Sequence, residues 1–73
     1  MKYKLGDRVK ILETAEDEYT LSLMEDCLGK IGIIEAIGYE DDGTPYYGVR
    51  MENLYNVMFY WYDYHLELVS AGA

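Results

Sequence analysis

Hydrophobic and polar residues alternate along several short segments of the chain, which is the pattern of a β-strand with one buried face. In residues 4–12, KLGDRVKIL, Val9 and Ile11 fall on one face of such a strand and Arg8 and Lys10 on the other. Further strands are predicted in KIGIIEAIG, YYGVRM, VMFYWY and LELV, at residues 30–38, 46–51, 57–62 and 66–69. The pattern therefore predicts an all-β protein of five strands.

The segments between these strands carry residues that favour turns. Residues 39–46, YEDDGTPY, contain an Asp-Gly pair and Pro45, so a tight turn is expected there. A calcium-binding loop is not expected there, because such a loop needs a longer series of spaced carboxylates. Residues 13–30 form a long first loop, in which TLSLMEDCLG is expected to hold a short helix between Thr20 and Gly29. The segment DYH, at residues 63–65, is predicted to be a short 3₁₀ turn.

The predicted core combines apolar residues from all five strands. Its members are Leu5, Val9, Ile11, Ile31, Ile34, Tyr47, Val49, Phe59, Trp61, Leu66 and Leu68. The second strand leaves an alternative open, because Ile33 and Ile37 form a rival inward set. The single cysteine, Cys27, is expected to be a small buried apolar residue, and the single histidine, His65, a polar surface residue.

Tyrosine is unusually frequent, at nine of the 73 residues. Successive side chains of a strand point to opposite faces, so the fourth strand is predicted to bury Phe59 and Trp61 and to expose Tyr60 and Tyr62. Two interpretations of the exposed rings stay open. They either cover a domain too thin to hide them, or they form a recognition surface, since tyrosine offers rigid amphipathic contact area.

Charge is unevenly distributed along the chain, whose formal net charge is −8. Residues 1–10 carry four basic side chains against Asp7, a net charge of +3, and the remaining residues carry a net charge of −11. A field of this sign repels a phosphate backbone and attracts a basic partner. Direct binding of nucleic acid is therefore disfavoured.

The length and composition suit one small domain. We expect it to span residues 1–69, with a flexible tail at residues 70–73. A lone cysteine is typical of a reducing compartment. The sequence contains neither the apolar core of a signal peptide nor the roughly 20-residue apolar run of a membrane helix, so a cytoplasmic location is expected.

The motifs LGDRVKIL, LGKIGIIEAIG, YYGVRM and LELV resemble those of SH3-like barrel domains of the KOW and nitrile-hydratase-β type. The chain is also similar to small phage or prophage proteins of unknown role. The resemblance is carried by Gly6, Asp7, Val9, Gly29, Lys30, Gly32 and Ile34. It implies a small five-stranded antiparallel SH3-like barrel with a long first loop. KOW domains that bind RNA are usually basic, whereas this chain is acidic.

The predicted binding site combines the acidic first loop with the exposed tyrosines. Its residues are Glu16, Asp17, Glu18, Tyr19, Glu25, Asp26, Tyr46, Tyr60 and Tyr62. Carboxylates beside aromatic rings favour cationic groups, so the predicted function is a protein-interaction module for a basic protein or peptide surface. Two alternatives stay open: an inhibitor that mimics nucleic acid, and an accessory subunit or domain of an enzyme.

The sequence contains no arrangement that predicts catalysis. Phosphate-binding loops and clusters of metal-ligand residues are absent from it, so no cofactor or metal is expected. Cys27 and His65 could form a nucleophile–base pair only if the fold brought them together, and we expect both to be structural. The protein is therefore predicted not to be an enzyme.

Overall fold

The computed structural model of the chain describes residues 2–13 and 22–72. In chain order its elements are β1 (Arg8–Ile11), α1 (Ser22–Cys27), β2 (Ile31–Tyr39), β3 (Pro45–Met51), β4 (Val57–Tyr62), a 3₁₀ turn (Asp63–His65) and β5 (Leu66–Ser70). The five strands form one antiparallel sheet in the order β4-β3-β2-β1-β5. The all-β prediction is confirmed, and every predicted strand is present.

The last strand of the chain pairs with the first, because β1 lies between β2 and β5 in the sheet. β4 and β5 lie at the two ends of this order, and no strand pairing within residues 2–13 and 22–72 joins them. Closure of the sheet into a barrel therefore stays a prediction. No helix in the described part of the chain is long and apolar enough to span a membrane.

β1 is shorter than the predicted strand because the chain turns just before it. The Asp7 amide donates to the Lys4 carbonyl at 3.1 Å, and the Lys4 amide donates to Asp7 Oδ2 at 2.9 Å. Leu5 lies in this turn and its side chain is 62% exposed, so its assignment to the core is wrong. The residue that fills the core beside β1 is instead Tyr3, whose hydroxyl donates to the Leu66 carbonyl.

The core gathers inward residues from the strands and from α1. Its buried hydrophobic members are Tyr3, Val9, Ile11, Met24, Cys27, Ile34, Tyr47, Val49, Met51, Trp61 and Leu66. Phe59 is half-buried and packs against this cluster, in agreement with the predicted faces of β4. The burial of Cys27 raises the pKa of its thiol, as desolvation disfavours a thiolate.

Two more residues assigned to the core are exposed. Ile31 pairs with Lys10 on the outward face of β1, and its neighbour Gly32 pairs with the buried Val9. Leu68 also pairs with Val9, but β5 is an end strand and only its first residue, Leu66, is covered. Both core assignments are wrong, in the first case because of strand parity and in the second because of position at the sheet end.

A β-bulge resolves the two alternative inward sets of β2. Ile34 pairs with Val49 and Ala36 with Gly48, which leaves Glu35 as an extra residue between them. The extra residue exchanges the two faces of the strand. Ile34 therefore lies in the core before the bulge, and Ile37 packs against the core after it. Each alternative set is therefore half right, since Ile34 but not Ile31, and Ile37 but not Ile33, lies on the inward face.

The predicted helix and turns are present within the described residues. α1 ends at Cys27, and Gly29 follows with φ +76°, as expected of the residue that stops a helix. The expected start at Thr20 lies outside the described residues. In the loop after β2, the Thr44 amide donates to Asp42 Oδ1 at 2.9 Å and the Glu40 amide to the Thr44 carbonyl at 2.8 Å. This segment is a hydrogen-bonded turn, as predicted.

The 3₁₀ turn between β4 and β5 buries His65, whose side chain is only 2% exposed. The prediction of a surface histidine is wrong because the turn folds its ring back onto β4. The Tyr62 amide donates to His65 Nδ1 at 3.3 Å, and the ring centroid of Trp61 lies 6.2 Å away. His65 therefore helps to fix the end of β4 against the core.

The C-terminal segment is longer in the sheet than expected. β5 extends to Ser70, and the Gly72 amide donates to Asp7 Oδ1 at 2.9 Å. The domain limit at residue 69 stays a prediction, but these contacts connect the segment beyond it to the turn before β1.

Candidate functional site

The outward face of β3 and β4 carries the tyrosines that the strand pattern selects. Trp61 is buried, whereas Tyr60 on the opposite face of β4 is 45% exposed and Tyr62 is half-buried. Tyr46 on β3 pairs with Tyr62, and its neighbour Tyr47 lies inside. Three of the predicted binding residues, Tyr46, Tyr60 and Tyr62, are therefore brought together on one surface.

Small residues on the neighbouring strand lie beneath these rings. Because of the bulge at Glu35, Ala36 pairs with Gly48 and Gly38 with Tyr46. A Cβ atom built on Gly38 would collide with the Tyr46 ring, and one on Gly48 would lie 3.0 Å from Cε1 of Tyr60. The rings therefore lie close to the backbone of β2 and β3, where the outward positions beneath them are glycine or alanine.

The result is a surface concavity of about 470 Å³, lined by Tyr46, Tyr60, Tyr62 and Glu40. We call it the tyrosine concavity. The Tyr46 and Tyr60 rings meet edge to face, with centroids 5.3 Å apart and an interplanar angle of 89°. The Tyr62 hydroxyl donates to Glu40 Oε1 at 2.6 Å, across a sequence separation of 22 residues. One wall of the concavity thus combines a phenol with a carboxylate.

The 3₁₀ turn supports Tyr62 from behind. Tyr64 stacks on the Tyr62 ring with centroids 5.6 Å apart, and the Tyr64 ring lies 4.3 Å from that of His65. His65 in turn accepts the Tyr62 amide. A buried residue and a stacked ring therefore restrict the orientations of Tyr62, which reduces the entropy that the side chain loses on binding.

The charged side chain that lines the concavity is acidic. Glu40 lines it directly, and the exposed Asp41 and Asp42 follow in the turn. Of the residues that the structure describes, none that lines the concavity is basic. Arg50, further along the same face, is paired with Glu35 at 2.8 Å and Glu52 at 3.6 Å, and the bond to Glu35 raises the pKa of its guanidinium. The concavity therefore offers negative charge that the arginine of β3 does not neutralise.

The acidic residues of the first loop are only partly located. Glu25 and Asp26 are exposed on α1 and do not line the concavity. The other predicted residues of this loop, Glu16, Asp17, Glu18 and Tyr19, lie outside the described residues. Whether the acidic loop and the tyrosines form one surface stays a prediction.

Sequence reasoning missed the participation of Glu40. The signal was present, because Glu40 directly follows β2 in the acidic turn EDDG. The pattern of that segment by itself predicts only a turn. Only the pairing of β2 with β3, and of β3 with β4, brings the start of this turn beside the end of β4.

The described residues also show what else the surface contains. Within residues 2–13 and 22–72, no group of three or more histidine, cysteine or acidic side chains is arranged to hold a metal ion. A smaller concavity of about 180 Å³ lies beside β1 and β2, and its lining includes Arg8 and Glu52. It holds charges of both signs and none of its described lining residues is aromatic, so we place the candidate site at the tyrosine concavity.

Comparison of the chain with protein-family models, curated proteins and solved structures gives no match. The candidate function therefore depends on the residues and geometry described above.

Proposed function

We propose that this protein is a non-enzymatic interaction module that binds a basic protein surface through the tyrosine concavity. The observation that carries the proposal is the convergence of Tyr46, Tyr60 and Tyr62 with Glu40 around one concave surface. Rigid aromatic side chains supply contact area at a small entropic cost, and they are frequent at binding hot spots. The carboxylate supplies the preference for a cationic partner.

The net charge of the chain supports a basic partner. At −8, it favours encounter with a positively charged surface and opposes encounter with nucleic acid. The acidic first loop would then steer the partner, and the tyrosine concavity would hold it. A concavity of about 470 Å³ is within the size range of small binding pockets, so it accepts one or two side chains rather than a whole element.

We also propose that the sheet belongs to a small SH3-like barrel. The support for this proposal is the sequence resemblance, the order of the five antiparallel strands and the pairing of β5 with β1. In such a barrel β3 and β4 would present their outward face to a partner, which agrees with the location of the tyrosines.

The test is an affinity capture from an extract of the organism that encodes the protein. The wild-type protein and a Tyr60→Ala/Tyr62→Ala variant are immobilised at equal density, and bound proteins are identified by mass spectrometry. A Tyr55→Ala variant is the matched control, because Tyr55 is 92% exposed at the far end of the β3–β4 hairpin. We expect basic proteins that wild type and the control retain and the double variant loses.

The outcome that rejects the proposal is equal capture by the double variant and wild type, with both folded by circular dichroism. Addition of nucleic acid to the extract separates the alternative of a nucleic-acid mimic, since a mimic competes with nucleic acid for one site on the partner.

A further inference from the structure

We infer that the tyrosine concavity accepts one arginine side chain of the partner, in preference to lysine. This inference rests on the proposed function and specifies the group that the surface recognises. It follows from the walls of the concavity, from the orientation of its carboxylate and from the charges around it.

The walls favour a weakly hydrated cation. Three of the four lining side chains are tyrosines, so a ligand meets aromatic rings together with their hydroxyl groups and the Glu40 carboxylate. A guanidinium is planar, stacks on aromatic faces and loses less hydration than an ammonium. A lysine ammonium is a strongly hydrated point charge with no flat face to stack, so it loses more hydration and gains less from the rings than a guanidinium does. The composition of the walls therefore selects arginine.

The carboxylate is already oriented. Glu40 Oε1 accepts the Tyr62 hydroxyl at 2.6 Å, which fixes the direction of the carboxylate at the wall. A carboxylate has about four lone-pair sites, so both Glu40 oxygens can still accept N–H groups. A guanidinium presents several N–H donors in one plane and can reach two neighbouring acceptors together.

The described ion pairs of this chain leave the acidic side chain of the concavity available to a ligand. Among the described residues, both ion pairs engage Arg50, and neither includes Glu40. Asp41 and Asp42, the next two residues, are exposed but do not line the concavity. An arginine that enters would thus meet uncompensated negative charge without displacing a cation of the protein.

The test uses acetyl-Gly-Gly-Xaa-Gly-Gly-amide peptides, in which the central residue is arginine, lysine, trimethyllysine or citrulline. Each peptide is titrated into the full ¹⁵N-labelled chain, and backbone amide shifts at residues 46, 60 and 62 report binding. We expect the arginine peptide to bind about fivefold more tightly than the lysine peptide, as a cation–π difference of about 1 kcal/mol requires. Citrulline keeps the shape without the charge and should not saturate.

Two matched variants locate the binding. Glu40→Gln should weaken the arginine peptide about threefold, within the range of an exposed ion pair, whereas Asp41→Asn should change its affinity less than twofold. Tyr62→Phe keeps the ring but removes the bond to Glu40, so it should reduce the preference for arginine over lysine. Shifts at residues 46, 60 and 62 should remain the largest in each case.

Two outcomes overturn the inference: equal binding of the arginine and lysine peptides, and tighter binding of trimethyllysine than of arginine. Either leaves the proposed function standing if the affinity capture still depends on Tyr60 and Tyr62. Conversely, if the arginine peptide binds at the concavity but the affinity capture does not depend on Tyr60 and Tyr62, the proposed function is rejected and the arginine inference is not.

Discussion

Asp7 joins the turn before β1 to the segment after β5, because Gly72 donates its amide to Asp7 Oδ1 at 2.9 Å. The other carboxylate oxygen accepts the Lys4 amide, also at 2.9 Å. These two bonds stabilise the ionised carboxylate, and they lower the pKa of Asp7 from its ordinary value of 3.8, with the Gly72 bond the larger cause. One side chain thus connects the chain just before β1 with the chain just after β5, beside the pairing of these two strands.

This relationship predicts how stability changes with acid. The folded state holds the pKa of Asp7 below 3.8, so the stabilisation is fully present above about pH 4. It is lost as the pH falls through the lowered value. Asp7→Asn should therefore melt at a lower temperature than wild type at pH 7, and the difference should shrink between pH 4 and pH 2.

Thermal unfolding followed by circular dichroism at several pH values measures the difference. Asp41→Asn is the control, because it removes a carboxylate from an exposed turn. A gap between wild type and Asp7→Asn that stays constant down to pH 2 would contradict the role of the ionised carboxylate.

The faces of β4 predict unequal effects of truncating its two inward rings. Trp61 is fully buried, so Trp61→Ala should cost about 4 kcal/mol of unfolding free energy. Phe59 is only half-buried against the core, so Phe59→Ala should cost about 2 kcal/mol. Urea denaturation measures both losses. If Phe59→Ala lost as much unfolding free energy as Trp61→Ala, the Phe59 ring would be more enclosed than its packing indicates.

Alternation alone could predict which side of β3 and β4 is buried, since neither strand contains a register irregularity. Gly32 and Gly38 suggest a bulge or tight bend in β2, but alternation could not locate the extra residue at Glu35, because the pairing with β3 defines that position. The burial of His65 could not be predicted from the sequence either, because it follows from the direction in which a three-residue turn folds. Glu40 enters the site through pairings between strands that are distant in sequence.

The turn between β3 and β4 contains a position that can be stabilised. Tyr55 and Asn56 have φ values of 59° and 57°, and the Val57 amide donates to the Leu54 carbonyl, which defines a turn of type I′. Asparagine adopts this backbone readily and tyrosine does not. Tyr55→Asn should raise the unfolding free energy by about 1 kcal/mol.

Tyr55→Ala is the informative comparison for this prediction. It also removes the exposed ring but leaves a residue that disfavours positive φ, so its stability should stay close to that of wild type. Chemical denaturation of the three proteins separates the backbone effect from the loss of the ring. A gain in both variants would point to the ring rather than to the backbone.

The close approach of Gly38 to the Tyr46 ring predicts a variant that alters the site and keeps the fold. A Cβ on Gly38 would collide with the outer atoms of the Tyr46 ring, which can rotate away. Gly38→Ala should therefore weaken partner binding with a small loss of stability. At Gly32 the same change meets the Arg50 carbonyl at 2.7 Å, and the backbone cannot move as easily.

Comparison of the two alanine variants checks this reasoning. Gly32→Ala should lower the melting temperature much more than Gly38→Ala, and NMR shifts of the Tyr46 ring should change only in the Gly38 variant. Unfolding of Gly38→Ala would mean that the position of the Tyr46 ring is needed for the fold itself.

The tyrosines and the acidic loop should act on different steps of partner binding. Packed rings stabilise the bound state. Tyr60→Ala and Tyr62→Ala should therefore mainly raise the dissociation rate constant, with a loss of about 2 kcal/mol of binding free energy for a hot-spot residue. Long-range charge steers encounter, so replacement of Glu16, Asp17 and Glu18 by their amides should mainly slow association. Surface plasmon resonance with the captured partner measures both rate constants.

Added salt should slow association of wild type and have less effect on the amide variant, because exposed charges are screened over about 8 Å at physiological ionic strength. If the tyrosine variants instead associate slowly and dissociate at the wild-type rate, the rings do not contact the bound partner, and recognition belongs to the acidic loop.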